Sequence, residues 1–147
     1  MSMNEIFWYK GKHDTYYTEL SVVDKAGSAH KVEIFDNKGE LMGRVDFYLH
    51  EGRSWLASII VIARYRLQGV GQALLEIFEY ITAKKSIDYI WGLYSPGNEY
   101  AKQFYAKNKY KVKKHGMETM LMKTIDVEAV LNEHKDKIID MSDIANI

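Results

Sequence analysis

The apolar periodicity of the chain changes at Gly69, and this switch limits the folds open to it more than any other feature. Ahead of it, Thr15–Val23 is rich in β-branched and aromatic residues, Lys31–Phe35 alternates apolar and polar positions, and Leu41–His50 and Trp55–Ile62 continue as further strands. The segments between them, Asp24–Ala29, Asp36–Gly39 and His50–Arg53, are turn-forming, so a meander of sequence-adjacent strands is expected. Beyond it, Val70, Leu74, Ile77, Phe78 and Ile81 recur at three and four residues. They predict an amphipathic helix ending near Lys84-Lys85, where cations suit the helix dipole. Ile87–Tyr94 then reads as a strand, Ser95-Pro96-Gly97 as a turn and Asn98–Asn108 as a second helix capped by Asn98. Tyr110–Val112 and Met117–Met122 are two last strands, and Asp126 to about Met141 is a third helical pattern with Val127, Val130, Leu131, Ile138 and Ile139 on one side. This order is that of an α+β, or mixed α/β, fold.

Composition narrows the function classes. The 147 residues suit one domain, 1–147, which can bury roughly 68–70% of its unfolded surface without a metal or disulfide. With 47% hydrophobic and 27% charged residues, the chain lacks the signature of disorder. The absence of cysteine excludes a disulfide framework, a thiolate zinc site and a thiol nucleophile, and makes the cytoplasm the expected compartment. The opening MSMNEIFWYK has no leader pattern, and no apolar run reaches membrane-spanning length, so no membrane partner is expected. Five histidines without ligand spacing give no metal site. A net charge of +0 speaks against a dedicated nucleic-acid binder.

The chemistry-bearing stretch is Val61–Leu75, which runs off a strand, passes two glycines spaced by one residue and opens a helix. Backbone N–H groups at a helix start lack intrahelical partners and carry partial positive charge, so such a place binds phosphate. Gly69 and Gly71 let the backbone come close to a ligand, and Arg66 adds a full charge. Two other phosphate loops fail on their letters: Leu74 stands where a dinucleotide fingerprint needs a small residue, and Gly71-Gln72-Ala73 replaces the Gly-Lys-Ser/Thr of a P-loop. By itself the loop equally serves to turn the chain from strand into helix.

Asn98–Tyr110 carries a second pattern. Ala101, Phe104, Tyr105 and Asn108 are spaced by three, four and seven and so share one helical stripe. Each has an ordinary explanation singly: Asn98 as a cap, Ala101 and Phe104 as core, Tyr105 as a packed ring. Taken together, Val61–Leu75 resembles the Arg/Gln-x-x-Gly-x-Gly/Ala pyrophosphate loop of the GNAT superfamily of N-acetyltransferases. Asn98–Tyr110 is similar to that superfamily's Asn-x-x-Ala-x-x-Phe-Tyr helix, in the right order and with a strand between. The resemblance covers about Leu41 to Met122.

It implies a central, mostly antiparallel twisted sheet flanked by helices. The family's fourth and fifth strands, here Trp55–Ile62 and Ile87–Tyr94, would splay to admit the pantetheine arm of acetyl-CoA. By the same resemblance Arg66 and the run Leu67, Gln68, Gly69, Val70, Gly71 and Gln72 hold the pyrophosphate. Ile59, Ile60 and Val61 offer strand-edge N–H and C=O groups to pantetheine. An N–H near Ile59 or Ile60 polarises the thioester carbonyl, Asn98 bonds the pantetheine region, and Tyr105 is the general acid for the departing thiolate. The implied reaction is direct transfer of acetyl from acetyl-CoA to a primary amine in a ternary complex, since no cysteine can carry the acyl group.

The chain also departs from the pattern. Ala63 replaces a common proline and Lys109-Tyr110 a common Gly-Phe, while Trp55 and Leu93 occupy the two positions where many members carry a catalytic glutamate. Without a base, a lysine-type amine is neutral in only about one molecule in 2,500 at pH 7, whereas an α-amine loses only about 1 kcal/mol. Hence either the acceptor is a low-pKa amine, or His50, Glu51 or Glu99 acts through water. Residues 1–40 read as strands where the family usually has helices, with Trp8, Tyr9, Tyr16 and Tyr17 clustered as core, as homodimer surface or as a cation-binding cage. Seven lysines between Lys102 and Lys123 suit either the nucleotide's 3′-phosphate or, as a rival, nucleic acid, and 125–147 reads as a helical tail. The alternative to an enzyme is an acyl-CoA-binding or regulatory module that has lost efficient chemistry.

Overall fold

The computed structural model describes residues 5–94 and 98–140. Nine strands form one sheet: β1 (Glu5–Lys10), β2 (Thr15–Val22), β3 (Ala29–Phe35), β4 (Leu41–His50), β5 (Arg53–Val61), β6 (Tyr89–Tyr94), β7 (Lys111–His115), β8 (Glu118–Thr124) and β9 (Ile138–Asp140). Three helices join them: α1 (Val70–Lys84), α2 (Glu99–Lys107) and α3 (Val127–His134). The spatial order is β7-β8-β6-β5-β4-β3-β2-β1-β9, and among these pairs only β5 with β6 is parallel. Among the described residues no helix is long and apolar enough to cross a membrane.

The meander follows from its turns and its alternation. Asp36 Oδ1 accepts the N–H groups of Lys38 and Glu40, each at 2.9 Å, which folds the β3–β4 turn locally. Alternate residues of successive strands, Phe7 and Tyr9, Tyr16 and Thr18, Val32 and Ile34, Val45 and Phe47, Ser54 and Leu56, are buried. They pack beneath α1, whose Val70, Leu74, Ile77 and Phe78 are also fully buried. Two carboxylates of α1 tie it to its neighbours. Tyr9 donates to Glu76 at 2.5 Å; Tyr110 donates to Glu79 at 2.7 Å, with Lys123 Nζ 3.1 Å from the same oxygen. Lys123, one of the seven lysines of the basic run, is thereby committed to the core.

α2 and α3 flank α1 on the same face: Gln72 of α1 donates to Asn108 at 2.8 Å, and His134 of α3 lies 3.8 Å from Glu76. The opposite face, with Trp8, Tyr17 and Phe35 in register in one row and Tyr48, Trp55 and Trp91 in another, carries no helix among the described residues. The strand-rich start thus extends the sheet instead of covering it.

A correction concerns the tail. The helix expected from Asp126 to about Met141 ends at His134, a short 3-10 turn spans Lys135–Lys137, and Ile138–Asp140 pairs with β1. Ile138 and Ile139 fit the helical stripe as spacing, but the free edge of β1 offers these β-branched residues backbone partners that a last helical turn cannot match. Ser95-Pro96-Gly97, expected as a turn, and residues 141–147 lie outside the described residues.

The feature that positions the site is the brevity of the parallel pairing. β5 and β6 pair only as Ser54 with Ile90, Trp55 with Trp91 and Leu56 with Gly92. Immediately beyond, Ala57 is an extra residue opposite Asp46 and Phe47 of β4, a bulge that bends β5 away from β6. Gly92 permits the last close approach, since a Cβ there would sit 2.4 Å from the Leu56 carbonyl oxygen. Gly92→Ala should therefore destabilise the fold by about 1–3 kcal/mol, read as a melting temperature roughly 3–10 °C lower. An unchanged melting temperature would show that this approach is not strict.

Candidate active site

Past the bulge, β5 follows β4 alone and leaves its other edge open. Ile62 N–H bonds the Met42 carbonyl at 2.9 Å, and direction alternates along an antiparallel ladder. Ile60 therefore faces β4, while Ile59 and Val61 direct their N–H and C=O groups into the gap left by β6. The bulge also shifts the faces: Ser54 and Leu56 point at α1, and Ile59 and Val61 do so after it, which leaves Ile60 on the helix-free face and 44% exposed. Of the two residues considered as N–H donors to an oxyanion, this geometry favours Ile59.

The loop after β5 ends at the mouth of this gap. Leu67 has φ +63° and is 93% exposed; Gly69 has φ +83° and is the N-cap of α1 with no side-chain cap. The first intrahelical bond is Ala73 N–H to the Gly69 carbonyl at 3.0 Å, so the N–H groups of Val70, Gly71 and Gln72 have no intrahelical partner, and the first turn holds no acidic residue. A left-handed φ explains Gly69, but Gly71 is different. A Cβ there would meet Val61 Cγ2 at 3.5 Å and the Phe104 ring at 3.9 Å, which is ordinary contact. Alanine would fit, and glycine inside a helix costs about 1 kcal/mol relative to it. Packing within the protein gives no reason for Gly71; close approach of a ligand does.

The strand-rich N-terminus holds this loop. Tyr16 donates its hydroxyl to the Gln68 carbonyl at 2.9 Å, Tyr65 donates to Asp36 of the β3–β4 turn, and Arg64 pairs with Glu40. Of the aromatic cluster, Tyr9 and Tyr16 are core, whereas Trp8 and Tyr17 line a cleft of about 680 Å³ with Phe35, Asp14 and Tyr65.

On the other side of the gap stands α2. Asn98 Oδ1 accepts the Ala101 N–H at 3.0 Å, so its carbonyl oxygen is committed to capping and its amide nitrogen is left to donate. Tyr105 is buried against Tyr94 and Tyr110, with ring centroids 5.8 and 5.6 Å away. Burial first, and the neighbouring Tyr94 second, push its phenol up to about 12. Beside it the buried Tyr94 hydroxyl has no hydrogen-bond partner among the described residues. An unsatisfied buried phenol beside the open edge of β5 suits a polar ligand in the gap. Glu99 lines a smaller pocket of about 340 Å³ with Tyr94, Asn98, Lys102 and Lys114.

The proton acceptors suggested by sequence proximity fare unequally. His50 and Glu51 lie at an exposed turn, 3.5 Å from each other, at the closed end of β5. Roughly 20 Å of extended strand separates Arg53 from Ile59, so neither reaches the open edge. Trp55, at one of the two positions where a carboxylate was expected, packs edge to face with Trp91, their centroids 3.9 Å apart. A carboxylate that proximity in sequence did not single out is Asp46 of β4, across β5 from the gap. It accepts the hydroxyl of Ser58 at 3.1 Å. Only the Ala57 bulge, which sets Ser58 opposite Asp46, reveals it.

Comparison with known proteins agrees with the fold. The model of the acetyltransferase (GNAT) family matches residues 3–110. The chain belongs to that family. A solved structure of PaiA N-acetyltransferase from Thermoplasma acidophilum in complex with coenzyme A superposes with a TM-score of 0.63 at 22% identity, covering 67% of this chain and 62% of that one. This chain thus spans less than two thirds of that enzyme. Tetrahymena GCN5 gives 0.60 at 18% identity over 71% of each chain, and nourseothricin acetyltransferase 0.58 at 17% over 82% and 84%. At such identities the likeness shows the fold. No curated protein matches the sequence.

The support of the loop is open to test. Tyr16→Phe removes the hydroxyl bond to Gln68, worth about 1 kcal/mol, and should speed hydrogen exchange of the amides of residues 68–72 roughly fivefold while leaving β4 unchanged. Equal exchange in both proteins would mean that the loop holds itself.

Proposed function

We propose that the protein transfers an acetyl group from acetyl-CoA to a primary amine by direct attack in a ternary complex. The observation that carries this reading is Gly71, a helical glycine that costs stability without serving packing, at the head of three unpaired N–H groups beside an open strand edge. Coenzyme pyrophosphate fits there, held by the N–H groups of Val70, Gly71 and Gln72 with Arg66. The pantetheine amides pair with Ile59 and Val61 as a peptide pairs with a sheet edge, with the Asn98 side-chain amide as a further donor. The coenzyme complex of the Thermoplasma relative supports the choice of ligand.

The acetyl carbonyl then lies near the Ile59 N–H, which stabilises the oxyanion as the amine adds. The C–S bond breaks, and the Tyr105 hydroxyl is positioned to serve the departing sulfur. With the phenol at about 12 and an ordinary thiol near ~8.5, complete proton transfer is uphill by roughly 5 kcal/mol. Tyr105 therefore acts chiefly by donating a hydrogen bond as negative charge grows on sulfur. The amine enters from the helix-free face, where half-buried Trp55 and Trp91 flank the gap.

The glycine separates the two explanations of the loop. Gly71→Ala should raise stability by about 0.5–1 kcal/mol and weaken acetyl-CoA binding tenfold or more in calorimetry. A more stable variant with unchanged affinity would assign Gly71 to the turn alone. Tyr105→Phe should keep coenzyme affinity and lose about 10²-fold or more in thiol release with an amine panel. Because Tyr105 works protonated, its contribution is lost only as pH rises towards about 12. Its loss should therefore leave the shape of the rate profile between pH 6 and 9 unchanged. Binding of acetyl-CoA without turnover of any amine would favour the acyl-CoA-binding module.

A further inference from the structure

The chain lacks the carboxylates that its family places on the fourth and fifth strands, yet the amine must lose a proton. We propose that Asp46, acting through Ser58, takes it; this rests on the acetyl transfer proposed above. The Ala57 bulge brings the two together: without it Leu56, Ser58 and Ile60 would share the α1 face, whereas with it Ser58 stands opposite Asp46 on the helix-free face, one residue before the Ile59 N–H. The amine comes from that face and meets the acetyl carbon next to Ser58.

The hydroxyl is oriented for the task. Ser58 Oγ donates to Asp46 Oδ2 at 3.1 Å, so its remaining lone pairs point away from the carboxylate, free to accept from an incoming N–H. Both side chains are half-buried, with the Asp46 side chain 30% exposed, so a proton delivered there can pass to water. The charged groups around Asp46 are Arg44 on its own strand and, on β3, Lys31 directly opposite and Glu33 opposite Arg44. Arg44 Nε lies 3.2 Å from Oδ2 but off the line of its N–H, so it contributes charge without occupying the lone pair. Lys31 is paired with Glu33 at 3.4 Å. Asp46 therefore has positive charge beside it and an oxygen, Oδ1, for which no hydrogen bond is seen among the described residues. On β5, Ser58 is the group that bonds it.

The step balances as follows. The neutral amine's lone pair forms the C–N bond to the thioester carbon, and the carbonyl π electrons move to oxygen. The nitrogen, now cationic and far more acidic than an ordinary ammonium, gives one proton to Ser58 Oγ as Ser58 passes its own to Asp46. The oxyanion re-forms the C=O bond as the C–S bond breaks, the electron pair leaves with sulfur, and the thiolate, hydrogen-bonded by Tyr105, takes its proton from solvent. Asp46 returns its proton to water. The products are the amide and free coenzyme A, with no oxidant or reductant needed. Ser58, which touches the amine, is the catalytic residue; Asp46 acts through it.

The test uses the full chain, acetyl-CoA and whichever of an alanyl tripeptide, spermidine and kanamycin is turned over fastest. Asp46→Asn should lower kcat by about 10²–10⁴, with acetyl-CoA affinity and melting temperature unchanged. Ser58→Ala should lower kcat less, since water can substitute for the hydroxyl. Ser58→Thr, which keeps the hydroxyl, should restore kcat to within about threefold of wild type. The double variant should be no slower than Asp46→Asn alone, because the two act in series. Wild-type kcat in Asp46→Asn, a Ser58→Thr protein as slow as Ser58→Ala, or multiplicative losses in the double variant would each overturn the proposal while leaving acetyl transfer intact. Failure of the wild type to turn over all three amines would remove both.

Discussion

The parallel pairing of β5 with β6 stops after three residues, and the rest of the structure is arranged around that interruption. A sheet interior normally has no free backbone groups, because an unpaired buried N–H or C=O is costly. Here Gly92 brings the strands to their closest approach, and the Ala57 bulge then turns β5 aside, so that Ile59 and Val61 face a gap. The loop that follows places three unpaired helix N–H groups at the mouth of the same gap, and the end of β6 and α2 set Tyr94 and Tyr105 along its far side. The strand edge, the helix end and the Tyr94 phenol all have unsatisfied polar capacity at one place. An extended acyl carrier with amides in its arm and phosphates at its end satisfies all three.

The strand-rich start gains its meaning from this arrangement. Through Tyr16, Asp36 and Glu40 it clamps the segment 64–68, and by lengthening the sheet it leaves the second face uncovered. The proposed coenzyme side is therefore backed by side chains held in buried or partly buried hydrogen bonds, Tyr9 to Glu76, Gln72 to Asn108, Tyr110 to Glu79. The proposed acceptor side is an open sheet face with half-buried aromatics.

Much of this was legible in the residues because local chemistry and tertiary packing agree there. Leu41–His50 and Val70–Lys84 appear where alternation, turn residues and helical spacing put them, and Asn98 caps α2 as its side chain suggests. The tail misleads because Ile138 and Ile139 satisfy a helical spacing, whereas the open edge of β1 makes strand pairing the better use of their backbone. The Asp46–Ser58 pair, proposed as the proton acceptor, was illegible for a related reason. Asp46 and Ser58 are twelve residues apart and meet only through the one-residue shift at Ala57, which no periodicity announces. His50 and Glu51, close to β5 in sequence, lie at the wrong end of it.

The central claim is that the β5–β6 gap and the head of α1 form one acyl-CoA site. A titration of isotope-labelled protein with acetyl-CoA, followed through the backbone amide resonances, tests it most directly. The account predicts saturable shifts at Ile59 and Val61 together with Val70, Gly71 and Gln72, all following one dissociation constant. Shifts confined to the lysines of α2 and β7, or no saturable shift at Ile59 and Val61, would contradict it.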